Sequence, residues 1–294
     1  MTARILNGKI AAERIKLEVK AEVDRLKKDF GVTPSLSIII VGDDPESNLC
    51  VSIKQKACNE VGINPQVIRL SLNTVEKELI TRIENLDMDS SVHGIIIQLP
   101  LPGHIDCGKV IEYIRPDKDV DGFHPLNGGN LSIGRDTLIP CTSHGIIKLL
   151  EFEKIPIAGR RVVIVGRSNI VGKPMGSLLL ARNATVTICH SRSVDLSGIT
   201  REAEILIVAV GRPGFVTADM ISPGTVVIDV GSTRAGEKLV GDVDFAEVRK
   251  VAGAITPAPG GVGRMTVAML LHNTVKASQI QLVKRGEKEL LNEN

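Results

Sequence analysis

Residues 160–174 have the sequence RRVVIVGRSNIVGKP. The four consecutive β-branched residues at 162–165 predict a strand that is buried on both faces. A loop containing Gly166 and Gly172 follows, and Pro174 suits the first turn of a helix. A second strand, ATVTIC, is predicted over 184–189. Strand, glycine loop, helix and strand within about thirty residues is the arrangement of a dinucleotide-binding unit.

The glycine spacing leaves two interpretations open. Gly166 and Gly172 form the pattern G-x-x-x-x-x-G, which differs from the dinucleotide fingerprint G-x-G-x-x-G. Glycines let the backbone approach a pyrophosphate, and the N-terminus of a helix supplies N–H donors. The pattern therefore fits either a dinucleotide site or a plain α/β crossover.

Composition limits the class of protein. The chain has 294 residues, a length at which two domains are expected. Its 36 basic and 34 acidic residues leave a net charge of +2, which gives no electrostatic reason to expect nucleic acid or an anionic membrane as a partner. With no Trp, one Tyr and five Phe, stacking platforms for single-stranded nucleic acid are not expected either.

Cysteine usage and hydropathy indicate a cytoplasmic protein. The five cysteines form no C-x-x-C pair and no metal-ligand spacing, which predicts reduced thiols and no metal site. The N-terminus has no long apolar run typical of a secretory signal. No uninterrupted apolar segment approaches the ~18 residues of a membrane helix. We therefore expect a soluble protein that does not contact membranes.

Hydrophobic periodicity predicts alternating helices and strands in the first half of the chain. Residues 7–30 predict an amphipathic helix, with Asn7 able to cap its start and Gly31 its end. Strands are then expected at 35–41, 66–70 and 92–99, and helices at 47–61, 75–86 and 105–114. This alternation predicts a parallel sheet in a three-layer α/β domain.

A change of domain is expected in the stretch 115–141, which is rich in Pro, Gly, Asp and Asn and is predicted to be a loop. The elements predicted after it are a helix at 143–153, the unit of residues 160–189, strands at 205–210, 225–230 and 252–256, a glycine-rich loop at 257–263, a helix at 265–278 and a charged tail that frays. The predicted domains are therefore 1–142 and 143–264.

Two residues of the first domain are candidates for chemistry. Gln98 follows a predicted buried strand, where open α/β sheets bind ligands, although a surface polar residue at the strand end is the plainer interpretation. Lys54 lies one helical turn from Cys50, on a face that also carries Ala57 and Val61. Burial would lower the pKa of such a lysine and suit it to acid–base chemistry, but a surface lysine is again the plainer interpretation.

The loop PDKDVDG resembles the opening of a calcium loop. It spaces Asp117, Asp119 and Asp121 at every second position and has Gly122 in the sixth. The twelfth position must supply a bidentate carboxylate, but here it is Gly128, so we reject calcium. Three solvated turn aspartates are the plain interpretation of the spacing.

The end of the second strand of the cofactor unit indicates which dinucleotide would bind. An NAD site usually has an acidic residue there, which holds the ribose hydroxyl. Here residues 189–192 are CHSR, with no carboxylate before Asp195. Arg192, with Arg167 and Ser191, would suit a 2′-phosphate. NADP is therefore favoured over NAD if a dinucleotide binds.

Taken together, seven stretches resemble the bifunctional methylenetetrahydrofolate dehydrogenase/cyclohydrolase family. They are SNLCVSIKQKAC (47–58), VHGIIIQLPLP (92–102), RPDKDVDGFHPLNGG (115–129), GRSNIVGKPM (166–175), ATVTICHS (184–191), TVVIDVG (225–231) and TPAPGGVGRMT (256–266). The resemblance implies two three-layer α/β domains with a cleft between them, the second a Rossmann-type dinucleotide-binding domain. It also implies that the last helix, within 265–294, completes the first domain, and that the protein is a homodimer.

The resemblance assigns roles to individual residues. Lys54 falls on the catalytic lysine, Gln98 on its partner, and Asp121 on the carboxylate that holds the pterin. The positions that line the folate substrate are Cys50, Leu99, Pro100, Pro259, Gly260 and Gly261. The positions that bind the cofactor are Gly166, Arg167, Ser168, Ile170, Gly172, His190, Ser191, Arg192, Gly211 and Ser232.

The activities implied are the NADP-dependent oxidation of 5,10-methylenetetrahydrofolate and the hydrolysis of the methenyl product to 10-formyltetrahydrofolate. These steps belong to one-carbon metabolism and serve purine biosynthesis. Two alternatives stay open: a dehydrogenase with weak or no cyclohydrolase activity, and a non-catalytic folate- or NADP-binding relative. The largest departure from the family is Cys50, where the family usually has Tyr, and it puts the balance of the two activities in question.

Overall fold

The computed structural model describes residues 2–236, 238–284 and 286. The chain forms two compact units, one of Met1–Glu13 with Pro140–Thr266 and the other of Arg14–Ile139 with Val267–Asn294. Each unit has a parallel β-sheet and helices, which confirms the predicted α/β class. None of the helices within the described ranges is long and apolar enough to cross a membrane.

The helices are α1 (Gly8–Phe30), α2 (Pro45–Val61), α3 (Glu76–Met88), α4 (Cys107–Ile111), α5 (Pro125–Ser132), α6 (Cys141–Phe152), α7 (Gly172–Leu180), α8 (Leu196–Arg201), α9 (Phe245–Val248) and α10 (Val262–Lys284). The strands are β1 (Arg4–Ile5), β2 (Ser35–Val41), β3 (Asn64–Leu70), β4 (Gly94–Ile97), β5 (Arg161–Val165), β6 (Thr185–Cys189), β7 (Ile205–Val208), β8 (Val226–Asp229), β9 (Thr233–Ala235), β10 (Lys238–Val240) and β11 (Ala254–Ile255). A short 3₁₀ helix covers Ala218–Met220.

The unit that contains residues 14–139 has a three-stranded sheet with the order β3-β2-β4, and all its pairs are parallel. All seven residues of β2 are buried. Because successive side chains of a strand point to opposite faces, both faces of the sheet are covered at this central strand. The three-layer arrangement predicted from the β-α alternation therefore holds for this unit.

The other unit has a six-stranded sheet with the order β1-β11-β8-β7-β5-β6, and its pairs are parallel. Residues Val162–Val165 of β5 are all buried, as the β-branched run predicts. Strand β5 has β6 on one side and β7 on the other, so the strand order reverses between β5 and β7. Open α/β sheets bind ligands at the carboxyl ends of the strands at such a switch point.

Two predictions about local structure were wrong. The stretch 115–141 is not a continuous loop, because it contains α5, which begins with Pro125 and whose N-cap residue His124 accepts a hydrogen bond at Nδ1 from Leu126 N (3.0 Å). Helix α10 begins at Val262 and continues to Lys284, beyond the predicted range of 265–278. The charged tail that was predicted to follow residue 278 and to fray is helical as far as Lys284, and residues 285 and 287–294 lie outside the described residues.

The first residues of the chain pack differently from the predicted domain boundary of 1–142. Residues Met1–Glu13 belong to the unit with the six-stranded sheet. The reason is that β1 pairs with β11, with Arg4 opposite Ala254 and Ile5 opposite Ile255. Because this pairing joins residues 4–5 to residues 254–255, no local pattern of the sequence indicates it.

Candidate active site

Lys54 and Gln98 are joined by a hydrogen bond. The Lys54 Nζ donates to Gln98 Oε1 at 3.0 Å, and Gln98 Nε2 donates to the carbonyl oxygen of Leu99 at 2.7 Å. Lys54 lies in the middle of α2 and is half-buried, whereas Gln98 directly follows β4 and is only 8% exposed. Neither residue is the plain surface residue that the sequence pattern alone favoured. The pair holds an amine at the carboxyl end of a buried strand.

Helix α2, which carries Lys54, has well-defined ends. The Asp44 carboxylate accepts a hydrogen bond from Ser47 N (2.8 Å), and Pro45 occupies the first turn. Gly62 ends the helix in the left-handed conformation, with a φ of 83° that favours glycine. These local signals explain why this segment forms a helix, and hence why Lys54 has a fixed place on it.

Asp121 lies within the electrostatic range of Lys54. Burial raises the pKa of the Asp121 carboxyl group, and the positive charge of Lys54 acts in the opposite direction. The structure thus brings together all three predicted catalytic residues within one unit.

The loop that carries Asp121 is held by Lys118, which is almost fully buried. Its Nζ donates to three main-chain carbonyl oxygens, those of Leu86 (3.0 Å), Asp87 (2.8 Å) and Asp89 (2.8 Å). These carbonyls lie at the C-terminus of α3, where a helix leaves acceptors unpaired. Lys118 therefore fastens the loop to the end of α3.

Asp119 holds the other side of the same loop. Its carboxylate accepts hydrogen bonds from Gly122 N (3.1 Å), His124 N (2.7 Å) and Asn127 Nδ2 (3.0 Å). Burial raises the pKa of Asp119 to about 7, against the lowering effect of these hydrogen bonds. The Asp119 carboxylate thus holds the loop through its hydrogen bonds. The prediction of three solvated turn aspartates is wrong for this residue, because it is buried.

The remaining aspartate of this segment has a third role. The Asp117 carboxylate accepts hydrogen bonds from Arg115 Nη2 (2.8 Å) and Lys284 Nζ (2.8 Å). Three carboxylates that look alike in PDKDVDG therefore have three different sets of partners. Among the residues that the structure describes, no group of three His, Cys, Asp or Glu side chains is placed to hold a metal ion.

The predicted substrate positions in this unit are accessible. Cys50 is exposed on α2, one turn before Lys54, while Leu99 is half-buried and Pro100 is exposed after β4. One turn after Lys54, burial raises the pKa of the Cys58 thiol to about 12, so this thiol is inert. The accessible thiol of this helix face is that of Cys50.

Gly166 lies at the carboxyl end of β5, where the sheet order reverses. Its φ of 127° favours glycine, and a Cβ there would overlap the carbonyl oxygen of Ala209, which follows β7. Gly166 N donates to the carbonyl oxygen of Cys189 at the end of β6 (2.9 Å), and Ala209 N donates to that of Val165 (2.8 Å). The backbones that follow β5, β6 and β7 therefore meet at Gly166.

The rest of the predicted cofactor loop leads directly into α7. Ser168 Oγ accepts a hydrogen bond from Val171 N (3.2 Å), and a Cβ at Gly172 would overlap the carbonyl oxygen of Gly166. Arg167, Ser168 and Ile170 are exposed. Glycine is thus required at both ends of this loop by close backbone packing, and the side chains between them are free to contact a ligand.

The segment after β6 forms a compact turn. His190 N donates to Ser193 Oγ (2.9 Å), and Arg192 N donates to His190 Nδ1 (3.1 Å). Ser191 and Arg192 are exposed. The first carboxylate after the strand, Asp195, accepts a hydrogen bond from Gly198 N (3.0 Å) and caps α8. Arg192 is therefore accessible, whereas the Asp195 carboxylate already accepts a hydrogen bond from the backbone.

The other predicted positions of this unit follow further strands of the same sheet. Gly211 lies just after β7, Ser232 after β8 and Pro259–Gly261 after β11. Gly211 has a φ of 66°, and apart from its own backbone and its two chain neighbours no heavy atom of the described residues lies within 4 Å of a Cβ built on it. All the predicted cofactor positions, together with Pro259–Gly261, therefore lie at the carboxyl edge of the six-stranded sheet.

Sequence reasoning missed two buried aspartates at this edge, Asp229 and Asp242. Asp229 is the last residue of β8 and is 3% exposed, and Asp242, which follows β10, is fully buried. Both accept hydrogen bonds from backbone N–H groups of the loops described above. Only an acid in the otherwise apolar strand VVID hinted at the first, and no spacing indicated the second.

Comparison with known proteins identifies the family. The family model for the catalytic domain of tetrahydrofolate dehydrogenase/cyclohydrolase matches residues 6–121, and the model for its NAD(P)-binding domain matches residues 140–282. The chain belongs to the tetrahydrofolate dehydrogenase/cyclohydrolase family. The resemblance inferred from the seven stretches is therefore confirmed.

Relatives within the tetrahydrofolate dehydrogenase/cyclohydrolase family match almost the whole chain. The Bifunctional protein FolD of Moorella thermoacetica is 55% identical over 280 residues, which are 95% of this chain and 100% of that protein. The Bifunctional protein FolD of Bacillus subtilis is 51% identical over 280 residues, which are 95% of this chain and 99% of that protein.

Solved structures of the family agree with this fold. The FolD methylenetetrahydrofolate dehydrogenase/cyclohydrolase of Campylobacter jejuni superposes with a TM-score of 0.92 at 47% identity and covers 95% of this chain and 100% of that one. The Trypanosoma brucei enzyme, solved with NADP cofactor and inhibitor, superposes with a TM-score of 0.92 at 37% identity and covers 96% and 99%.

These matches establish the activity. The chain is a methylenetetrahydrofolate dehydrogenase and methenyltetrahydrofolate cyclohydrolase. Both family models match it, and relatives that are bifunctional match it over their full length. The two alternatives, a dehydrogenase without cyclohydrolase activity and a non-catalytic relative, are not favoured.

Proposed function

We propose that Lys54, Gln98 and Asp121 form the site that converts the folate, and that NADP is the hydride acceptor. The observation that carries this proposal is the hydrogen bond of 3.0 Å from Lys54 Nζ to Gln98 Oε1. The same ammonium group interacts electrostatically with Asp121. An amine, an amide and a carboxylate thus come together at the carboxyl end of β4.

The cyclohydrolase step requires a group that manages protons. Water adds to the cationic methenyl carbon and loses a proton, and one carbon–nitrogen bond of the ring then breaks as its nitrogen gains a proton. Lys54 is the titratable group that we assign to this task, and the Gln98 carbonyl oxygen directs its amine. Geometry comes first in such an assignment, since a catalytic acid or base must lie within hydrogen-bonding reach of its proton.

Asp121 is assigned to binding the pterin. Its carboxylate would accept hydrogen bonds from the amino and ring N–H groups of the pterin. Burial favours the protonated acid, but the nearby charge of Lys54 favours the carboxylate, which is the form that accepts both bonds. Lys54 therefore serves the binding of substrate as well as its hydrolysis.

The residues at the carboxyl edge of the six-stranded sheet fit a dinucleotide. The loop from Gly166 to Gly172 leads to the N-terminus of α7, which suits a pyrophosphate, and the space at Gly211 is open to a ligand. Arg192 is exposed beside this loop and suits the 2′-phosphate that distinguishes NADP from NAD. When bound, the cofactor would supply the hydride acceptor of the reaction.

We also infer that the enzyme acts as a homodimer in the cytoplasm and serves purine biosynthesis. The five cysteines are all free thiols, which suits a reducing compartment. Strand β6 is an edge of its sheet, and its residues Thr185, Thr187 and Ile188 are exposed, as is Leu180 of α7. The outer side of an edge strand, beside exposed apolar residues, suits contact with a second copy of the chain. Light scattering coupled to gel filtration would measure the mass in solution, and a monomer would contradict the inference.

A single assay tests the proposal for the enzyme. Purified protein is given methylenetetrahydrofolate and NADP, and the absorbances of NADPH and of methenyltetrahydrofolate are followed together. We expect NADPH to form while little methenyl product accumulates. Accumulation of the methenyl compound in step with NADPH would show that the chain lacks cyclohydrolase activity. A faster reaction with NAD than with NADP would contradict the choice of cofactor.

A further inference from the structure

Two buried carboxylates in the unit with the six-stranded sheet have no role in the reaction described above. We propose that one of them, Asp242, is a positioning residue whose carboxylate fixes the loop after β7 for NADP and packs against the loop after β8. These loops carry Gly211 and Ser232, two of the cofactor positions, so the inference rests on the proposed cofactor site.

Asp242 holds the loop after β7 directly. Its Oδ2 accepts hydrogen bonds from Val210 N (2.6 Å) and Gly211 N (2.9 Å). Gly211 itself is exposed, so a backbone group on an exposed turn is tied to a fully buried carboxylate. Hydrogen bonds with an ionised acceptor are roughly twice as strong as neutral ones. The preceding residue, Ala209, packs against Gly166 of the other cofactor loop.

The loop after β8 is held through Asp229. Its Oδ1 accepts hydrogen bonds from both Gly231 N (2.9 Å) and Asp242 N (2.9 Å), and its Oδ2 accepts one from Val243 N (3.1 Å). A Cβ at Gly231 would overlap Asp242, so the two segments lie in direct contact. The pair of carboxylates thus joins the two strand ends to the segment that follows β10.

The second oxygen of Asp242 argues against a purely structural role. Within the part of the chain that the structure describes, no group donates a hydrogen bond to Asp242 Oδ1, although the atom is buried. A buried acceptor without a donor lowers stability, and so does a second carboxylate beside it. Burial, with a contribution from Asp242, raises the pKa of Asp229 to about 6. Such costs are typical of sites arranged for binding.

The test replaces Asp242 by Asn, which keeps the shape of the side chain and removes its charge. We expect the Kd for NADP, measured by titration calorimetry, to rise roughly tenfold or more. The cyclohydrolase rate without NADP should stay within about twofold of the parental rate, because Lys54 and Gln98 lie in the other unit. A loss of stability alone would move both quantities.

Asp244→Asn is the matched control. It removes the same charge two residues further on, where the Asp244 carboxylate accepts a hydrogen bond from Glu247 N (3.3 Å) and caps α9. Asn is an equally good N-cap residue, so neither the Kd for NADP nor the melting temperature should change.

The outcomes separate this inference from the proposed function. An unchanged Kd in a folded Asp242→Asn variant would overturn the inference, as would an equal loss of cyclohydrolase activity. Absence of NADP binding in the parental protein would overturn the proposed cofactor and this inference with it.

A measurement on the parental protein decides the matter if the variant does not fold. Hydrogen exchange resolved by NMR should show that the amides of Val210 and Gly211 are protected, and that NADP slows their exchange further. Exchange at the rate of an unprotected amide, or exchange that NADP leaves unchanged, would overturn the inference.

Discussion

Lys54 Nζ lies 3.0 Å from Gln98 Oε1, although the two residues are 44 positions apart in the sequence. This contact connects the middle of α2 to the residue that follows β4. It changes the interpretation of both residues, since each alone has the sequence pattern of a surface side chain. A lysine amine that is directed by an amide oxygen, near the half-buried Asp121 carboxylate, is suited to proton transfer.

The role of Lys54 is tested by Lys54→Met, which removes the titratable amine and keeps most of the volume of the side chain. We expect cyclohydrolase activity to be abolished while folate binding stays measurable. Hydrolysis of methenyltetrahydrofolate, followed by its absorbance, and equilibrium binding of folate are the two measurements.

Lys56→Met is the control for this variant. Lys56 lies on the same helix two residues away and is exposed. Its replacement should leave both quantities unchanged. Hydrolysis at the parental rate by Lys54→Met would show that Lys54 has been given the wrong role.

Arg192 should determine the preference for NADP. A charge-assisted contact with the 2′-phosphate contributes about 1.5–3 kcal/mol, which corresponds to roughly tenfold or more discrimination against NAD. Arg192→Ala should therefore erode the ratio of kcat/KM values for NADP and NAD. Arg249→Ala, which replaces another exposed arginine of the same unit, should leave that ratio unchanged. Equal efficiencies with the two cofactors in the parental protein would contradict the prediction.

Cys50 should weaken folate binding relative to a tyrosine at this position. The thiol is exposed one turn before Lys54, and it has no aromatic face with which to contact a pterin. One ring–ring contact is worth about 0.5–1.5 kcal/mol, or up to roughly tenfold in affinity. Cys50→Tyr should therefore tighten folate binding and speed cyclohydrolysis. If it weakens both, the surroundings of Cys50 are shaped for the thiol.

Asp119 should make the stability of the enzyme depend on pH. Burial raises the pKa of Asp119 to about 7, above its ordinary value of 3.8. Between these two pH values the folded state therefore binds more protons than the unfolded state does. The contribution of this group to the free energy of unfolding therefore falls as pH rises through that interval. At about 1.4 kcal/mol per pKa unit, the change amounts to a few kcal/mol.

Urea unfolding at about pH 5 and about pH 8 measures this dependence. From the lower pH to the higher, the free energy of unfolding should fall by less, or rise by more, in Asp119→Asn than in the parental protein. The control is Asp29→Asn, an exposed aspartate of the same unit, which should behave as the parent does. An equal change in Asp119→Asn and the parent would show that Asp119 does not titrate in this interval.

Local patterns were sufficient for the fold class and for the main elements of the two parallel sheets. Side-chain shape and hydrophobic pattern within a short segment were enough to predict the strands at 35–41 and 162–165 and the glycine loop after the second of them. The seven family-like stretches likewise indicated the activity, which the matches over nearly the whole chain confirm. Individual roles of the site residues stay predictions.

Tertiary contacts were needed for everything that joins distant segments. Three features each connect residues far apart in the chain: the pairing of β1 with β11, the three carbonyls that hold Lys118, and the hydrogen bond from Val210 N to Asp242. A charged residue such as Asp119 or Asp242 looks solvated in sequence, because charge alone does not reveal whether backbone N–H groups will surround it. Burial with hydrogen bonds from distant loops is what changes a polar turn residue into part of a binding site.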